Sequence, residues 1–396
     1  MVSVAPASTY TDSQVDAGAL RALYQLDPNI TFLNHGSFGA TPRPVFEVYQ
    51  AWQRQLEREP VAFVGRRQDT LLDAARGQIA TWLNAGVSDI SFVVNATSGL
   101  NVIARSIPLE PGDEILTTDL EYGALDLTWD YLCQKAGATY IHQPIPLPAT
   151  TAEAMVDALW EGVTDRTRAI FLSHITSGTA LILPVEEICA RARARGILTI
   201  IDGAHVPGQL DLDLTALGAD IYSGNFHKWL CTPKGTAFLY VRPEQQGWVE
   251  SLTISWGWRP GHTFVTRNQK QGTRDVAGFL AVPRAIEFQR EHNWPAVRER
   301  CFRMLSELRQ ELHERWGTTP LSPDSPAWYR QLAVITLPND APEDLQQRLF
   351  MKHAVEAPIM GHMDIRGIRV SVQGYTTDDD LNHLREALAI ELGTGR

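Results

Sequence analysis

Val45, Val48, Tyr49, Trp52 and Leu56 recur at steps of three and four, so an apolar stripe predicts a helix from about residue 45. A second helical pattern covers about 70–84, with Gly86 just past its end. The period then changes. Short apolar runs at 90–95, 114–118, 138–142, 168–173, 197–202, 219–223 and 236–241 read as strands. Helical patterns near 98–106, 124–136, 152–162 and 185–195 separate most of them. Pro184 stands where a helix tolerates proline, and Gly196 closes the same pattern. Buried strands alternating with helices predict an α/β fold with a mainly parallel sheet covered on both faces. The last two runs leave little room for a helix between them, so an antiparallel edge is expected there.

From about 276 the texture differs. Long helical patterns at 276–291 and 295–315 precede strands near 331–337 and 366–372, with helices near 343–354 and 377–391. This reads as a smaller α+β domain. At the other end, residues 1–30 read as a loose arm with a short helix, followed by the turn-rich loop N-H-G-S-F-G-A-T-P-R-P, Asn34 to Pro44. A chain of 396 residues exceeds what one compact core usually holds. The expected division is an arm and substrate loop over 1–45 packing with the small domain, a large domain over 46–275, and a small domain over 276–396.

Composition narrows the class. With 44% hydrophobic and 20% charged residues the chain reads as globular and soluble. The net charge of −11 argues against nucleic acid as a partner, and R-A-R-A-R at 191–195 reads as a solvated helix face. No apolar run is long enough for a membrane span. The first residues lack the marks of a signal peptide. Cys133, Cys189, Cys231 and Cys301 form no C-x-x-C and are expected to be reduced and buried, which fits the cytosol.

Open α/β sheets bind ligands beyond the carboxyl ends of their strands, so the polar residues there matter. After the first run, N-A-T-S-G-L-N (Asn95 to Asn101) leads small residues into a helix. It is either a phosphate site or an ordinary cap with Thr97 or Ser98 as N-cap. Tyr122 follows the second run in L-E-Y-G-A, as a ring over the crevice or as packing. His174, Thr176 and Ser177 follow the fourth; turn chemistry is an adequate alternative for them. I-D-G-A-H places Asp202 and His205 after the fifth, and N-F-H-K places Lys228 after the sixth. A carboxylate at the base of a crevice needs a cation or a proton donor. A desolvated lysine becomes a nucleophile toward carbonyls. Lys234, in a Pro-Gly turn, is expected to face solvent. Pyridoxal 5'-phosphate uses all these parts: an aldehyde for Lys228, a pyridine nitrogen for Asp202, a phosphate for the helix end at Thr97 and a ring face for Tyr122.

Together, L-N-H-G-S-F-G, N-A-T-S-G-L-N, I-D-G-A-H, N-F-H-K-W, Q-G-T-R-D and R-V-S-V-Q-G-Y resemble the class V aminotransferase family of fold-type I pyridoxal-phosphate enzymes, over about 30–390. The first and fifth motifs resemble its isopenicillin N epimerase-like branch. The resemblance implies that Lys228 anchors the cofactor and moves protons at Cα. It implies that Asp202 meets the ring nitrogen, His205 the ring 3'-oxygen, and Tyr122 the ring face. Ala96, Thr97, Asn225 and His227 would hold the phosphate, with Ser177 beside the cofactor. Thr273 would reach the second subunit's site in a homodimer. Arg369 would bind the substrate carboxylate, with Asn34 and His35 in the substrate loop. Cysteine desulfurases of this family need a cysteine before that arginine. Here E-A-P-I-M-G-H-M-D-I-R-G has none, which disfavours persulfide chemistry.

The implied reaction is epimerisation at the α-carbon of an amino acid or small peptide, with Lys228 as one base and Tyr122 or His35 as candidates for the second. Elimination of sulfur from Cβ and transamination share its first proton abstraction. A catalytically silent binding protein is the non-enzyme alternative, against which Lys228 and Arg369 stand. The lack of G-x-G-x-x-G after the first run argues against a nicotinamide dehydrogenase. Substrate choice is expected in loops 30–44 and 255–270, where Trp256, Trp258 and His262 serve either the substrate or a subunit interface. No metal site is expected.

Overall fold

The computed structural model describes residues 15–393. The first half of the expected N-terminal arm therefore lies outside the described residues; the short helix expected in it is present at Ala17–Ala22.

Seven strands form the main sheet: β1 Ile90–Val93, β2 Glu114–Thr118, β3 Thr139–Gln143, β4 Thr167–Ser173, β5 Leu198–Asp202, β6 Ile221–Asn225 and β7 Ala237–Val241, in the order β1-β7-β6-β5-β4-β2-β3. β6, β5, β4, β2 and β3 run parallel, while β7 is antiparallel to both neighbours. An antiparallel strand was expected at this point, but not its place. β7 is interior, because β1 closes that side of the sheet.

Both faces are covered, which explains why the strands read as unbroken apolar runs. Along β4 and β5, Phe171 and Ile200 enter one core with Leu100, Ile103 and Trp129. Ile170, Leu172 and Ile201 enter the other with Leu72, Ile79, Val156 and Ile188. The Ala96–Ser106 helix lies close on the sheet; a Cβ at Gly99 would sit 2.5 Å from Ser223 Oγ. Glycine there lets the helix N-terminus approach the carboxyl ends of the strands.

The second core continues into the C-terminal part, through Val297, Leu305, Leu332, Val370 and Leu384. There the pattern expected at 276–291 breaks at Ala281 into Ala277–Leu280 and Val282–Glu291, with Pro283 at the start of the second piece. A long helix, Trp294–Trp316, backs an antiparallel sheet of β8 Leu332–Thr336, β9 Ile359–His362 and β10 Ile365–Ser371, in the order β9-β10-β8. β9 was missed because I-M-G-H is too short and polar to register as a strand. Thr31–Phe32 pairs in parallel with Val355–Glu356, so the N-terminal segment joins this part of the chain.

Candidate active site

β4, β5 and β6 end side by side. Ser173 is opposite Asp202, and Asp202 is opposite Ser223. The turn after β6 carries Lys228, whose Nζ lies 3.0 Å from His205 Nε2. The indole N–H of Trp229 donates to His205 Nδ1 at 3.3 Å. An indole nitrogen only donates, so Nδ1 is the acceptor and the ring proton sits on Nε2. Burial, with the charges of Lys228 and Arg369, holds His205 well below its usual range, so it is neutral. Burial lowers the Lys228 amine to about 8, against the opposing pull of Asp202. A useful fraction is therefore an unprotonated nucleophile near neutrality.

Asp202 is buried; Ala204 N–H donates to its Oδ1 at 2.8 Å. Burial raises its carboxyl to about 6. Among the described residues Asp202 and Lys228 form no direct ion pair, although each feels the other's charge. His174, from the loop after β4, is buried and meets Tyr222 Oη at 3.0 Å, and burial lowers it to about 4. Thr176 closes its own turn through Thr179 and Leu181.

At the helix N-terminus the N-cap is Asn95, whose side chain accepts from Ser98 N–H at 2.7 Å; neither Thr97 nor Ser98 caps it. Asn225 Oδ1 accepts from Ala96 N–H at 2.8 Å. Thr97, one residue further in, keeps its hydroxyl and an N–H that no helical carbonyl reaches. His227 Nδ1 faces Thr236 O at 3.1 Å, so its proton is there and Nε2 is free. Burial lowers this imidazole to about 4.

Arg369 comes from β10 and is buried. One terminal nitrogen donates to Ser177 O and Oγ at 2.8 and 3.2 Å, the other to Ser37 Oγ at 2.8 Å. Its Nε is buried without a partner among the described residues. Ser177 thus serves the arginine. Asn34 acts one step back: its Oδ1 accepts from Ser37 Oγ at 2.6 Å, and its Nδ2 donates to Glu356. Tyr122 is 45% exposed at the start of the Gly123–Ala136 helix.

His35 does not stand where a base would. It is fully buried, with Nε2 at 3.0 Å from the Lys228 carbonyl and Nδ1 at 3.0 Å from Tyr375 Oη. A carbonyl only accepts, so Nε2–H donates to it and Tyr375 donates to Nδ1. Burial lowers the ring to about 3. Gly39, at φ 72°, lets the same loop press on this turn; a Cβ there would sit 1.9 Å from His227 O. Lys234 sits in an exposed turn, yet its ammonium donates to Gly39 O at 2.8 Å. Thr273 is exposed on a loop that Asp275 ties to Tyr49 and Gln53, and no hydrogen bond within the described chain joins it to Lys228 or Asp202. Trp258 is fixed by Ser251, whereas Trp256 is 66% exposed.

Reading motifs by strand end missed Trp229, Tyr375 and Ser37. All three lie inside motifs singled out above, beside residues given roles.

The donor set suits a phosphorylated pyridine aldehyde. His205 presents an N–H suited to a phenolate oxygen. Asp202 presents a buried carboxylate suited to a ring nitrogen, and Lys228 an amine of lowered basicity. Thr97 presents a helix-end N–H and a hydroxyl suited to phosphate. The site is that of a pyridoxal-phosphate-dependent enzyme of fold type I.

Comparison with known proteins agrees. The family model for aminotransferase class-V matches residues 40–384, and the chain belongs to that family. It is 35% identical to isopenicillin N epimerase of Amycolatopsis lactamdurans, over 93% of this chain and 96% of that one. It is 36% identical to isopenicillin N epimerase of Streptomyces clavuligerus, over 92% and 95%. A probable L-cysteine desulfhydrase of Arabidopsis thaliana is 27% identical over 91% and 83%. Among solved structures, a cystine C–S lyase in complex with cysteine persulfide superposes with a TM-score of 0.79 at 22% identity, covering 93% of this chain and 99% of that one. A cysteine desulfurase of Escherichia coli gives 0.78 at 21%, covering 96% and 99%.

Proposed function

We propose that this protein inverts the α-carbon of an amino acid or small peptide, with Arg369 holding the carboxylate, Lys228 moving the proton on one face and Tyr122 on the other. The observation that carries the reading is the Lys228 amine, lowered to about 8 by burial and poised 3.0 Å from a neutral imidazole. Such an amine takes and returns a proton near neutrality. Pyridoxal phosphate, when bound, supplies the ring that accepts the electrons left at Cα. Arg369 supports the substrate assignment, since its two terminal nitrogens are already arranged for bidentate donation and its Nε is unpartnered. Likeness to two epimerases over more than nine-tenths of the chain favours inversion over the alternatives. The cysteine-free segment between Glu356 and Arg369, most of it a hairpin of β9 and β10, disfavours persulfide formation.

We further propose a homodimer in which Thr273 reaches the other subunit's phosphate, a boundary near 45 and another near 275, and a cytosolic location. The exposed position of Thr273 supports the first, and four free buried cysteines support the last. Among the described residues no helix is long and apolar enough to cross a membrane.

The test is a panel of L- and D-amino acids and short peptides in heavy water. Deuterium at Cα with appearance of the opposite epimer is expected. Release of pyruvate and sulfide without epimer would select elimination; a keto acid with retained amine would select transamination.

A further inference from the structure

Gln209 stands just past the I-D-G-A-H motif, and nothing above uses it. It is 1% exposed. Its side-chain N–H donates to His205 O at 2.8 Å, and its Oε1 accepts from Gln331 N–H at 2.9 Å. The two partners fix the orientation of the amide, because a carbonyl only accepts and a backbone N–H only donates. They also belong to different parts of the chain. His205 lies in the turn after β5, with Lys228 Nζ at 3.0 Å. Gln331 leads into β8, where Leu332 is opposite Ser371 and Val334 is opposite Arg369. One buried side chain therefore joins the turn that faces the cofactor to the strand pair that presents Arg369.

We propose that Gln209 is a positioning residue that sets where Arg369 stands relative to His205, and hence how an amino acid gripped by its carboxylate meets the cofactor ring. Both ends of the link are tightly held. Gly208, at φ 92°, brings the same turn against the lysine turn: a Cβ there would sit 2.4 Å from Trp229 O. Trp229 fixes the His205 ring through Nδ1, while Gln209 fixes the His205 backbone. At the far end Gln331 is fully buried. Its carbonyl accepts from Val372 N–H at 2.9 Å, and its side chain donates to Val372 O at 3.2 Å and to Gln373 Oε1 at 3.0 Å. Val372 directly follows β10. Every step is a hydrogen bond shut away from water, where an unmade bond is costly. A merely local task, closing the turn after β5, would need only the His205 end. The other end reaches 122 positions along the chain.

The relative placement matters because a bond at Cα is weakened only when it stands upright from the ring plane, aligned with the π system. His205 helps set the plane and Arg369 holds the carboxylate, so the angle between them selects the bond. Glutamate at 209 would keep an acceptor for Gln331 but offer no donor to His205 O. Leucine would fill the space and bond to neither. The inference rests on Arg369 gripping the substrate carboxylate, as proposed above, and holds whether the reaction is inversion or elimination.

The test reads amide hydrogen exchange first and ligand binding second. Adding pyridoxal phosphate to the wild-type apoprotein should slow exchange in 202–210 and, through Gln209, in 328–336 as well. In Gln209→Leu the second response should vanish while the first remains. Slowing confined to 202–210 in wild type overturns the proposal without any variant. Binding is then followed by the absorbance change of the holoenzyme on titration with the amino acids of the panel above and with their carboxamides. Wild type should prefer the carboxylate form. In Gln209→Glu and Gln209→Leu that preference should fall about tenfold, the value of one hydrogen bond. Variants that lower Tm but keep the preference would mark Gln209 as packing alone and overturn the proposal. A wild type with no preference would remove Arg369 as the receptor, and this inference with it. The exchange response, which involves no substrate, tells that failure from a failure at Gln209.

Discussion

Trp229 donates its indole N–H to His205, and this one contact decides which nitrogen of His205 faces Lys228. A rotated or retautomerised ring would offer Lys228, and any phenolate oxygen beside it, a lone pair instead of a proton. Trp229→Phe keeps the ring packed against His35 but removes the donor. We expect cofactor affinity to fall about tenfold, the value of one hydrogen bond, with a shifted absorbance maximum. Equilibrium titration of the apoprotein measures it, and unchanged affinity and spectrum would remove Trp229 from the site.

Lys228 is expected to anchor the cofactor. Borohydride reduction of the holoenzyme should add the pyridoxyl mass to the peptide containing residue 228. Lys228→Ala should lose that adduct and at least about a thousandfold in turnover. A wild-type adduct on Lys234 would refute the assignment.

The Lys228 amine has a testable sign in its environment. Its lowered value near 8 results from burial, with Asp202 pulling it up and Arg369 pushing it down. In the apoprotein, the labelling rate of Lys228 by an amine reagent should rise through about pH 8. Asp202→Asn should move that midpoint lower, and Arg369→Gln should move it higher. Shifts in the same direction for both variants would contradict the arrangement. In stability terms, a lysine whose folded value lies below its unfolded one binds fewer protons when folded. Its contribution therefore grows as pH rises from about 8 toward the ordinary lysine value.

Arg369→Lys keeps a charge but loses the fork that Ser177 and Ser37 hold in place. We expect KM for the amino-acid substrate to rise about a hundredfold, with a smaller change in kcat. Equal losses in both would show that Arg369 does more than bind.

His35→Ala should be costly without being catalytic. Both ring nitrogens are bonded in a fully buried setting, so about 2–4 kcal/mol of stability should go, with a lower Tm. The pH–rate profile should keep its shape, because no proton of the reaction passes through this ring.

Much of the fold was legible because burial on both faces writes long apolar runs for β4 and β5, and because Gly196 and Gly86 punctuate the helices. β9 was not, since a short edge strand facing partly outward leaves no period. The ends of the parallel strands pointed to Lys228, Asp202 and His205 by topology alone, as chain order and strand ends share a rule. His35 was misjudged. The resemblance put His35 in the substrate loop and so among the candidate bases, and only the fold shows that Tyr375 and the Lys228 carbonyl occupy its two nitrogens. Of the two readings left open for N-A-T-S-G-L-N, the ordinary cap placed the N-cap at Thr97 or Ser98, whereas Asn95 holds it, a shift that a propensity scale cannot resolve. Tautomers were beyond reach, since they depend on neighbours such as Trp229 and Thr236 held by tertiary contacts.

The contact between His35 and Tyr375 spans 340 positions. It joins a turn to a segment made 340 positions later in synthesis. During translation Lys228 emerges well before Tyr375, so its carbonyl cannot yet be held by a fully oriented His35. Closing a loop of such length costs more chain entropy than closing a short one, though the cost grows only slowly with length. A ribosome-bound chain that has not yet reached Tyr375 therefore carries the lysine turn with His35 still short of one of its two ring partners.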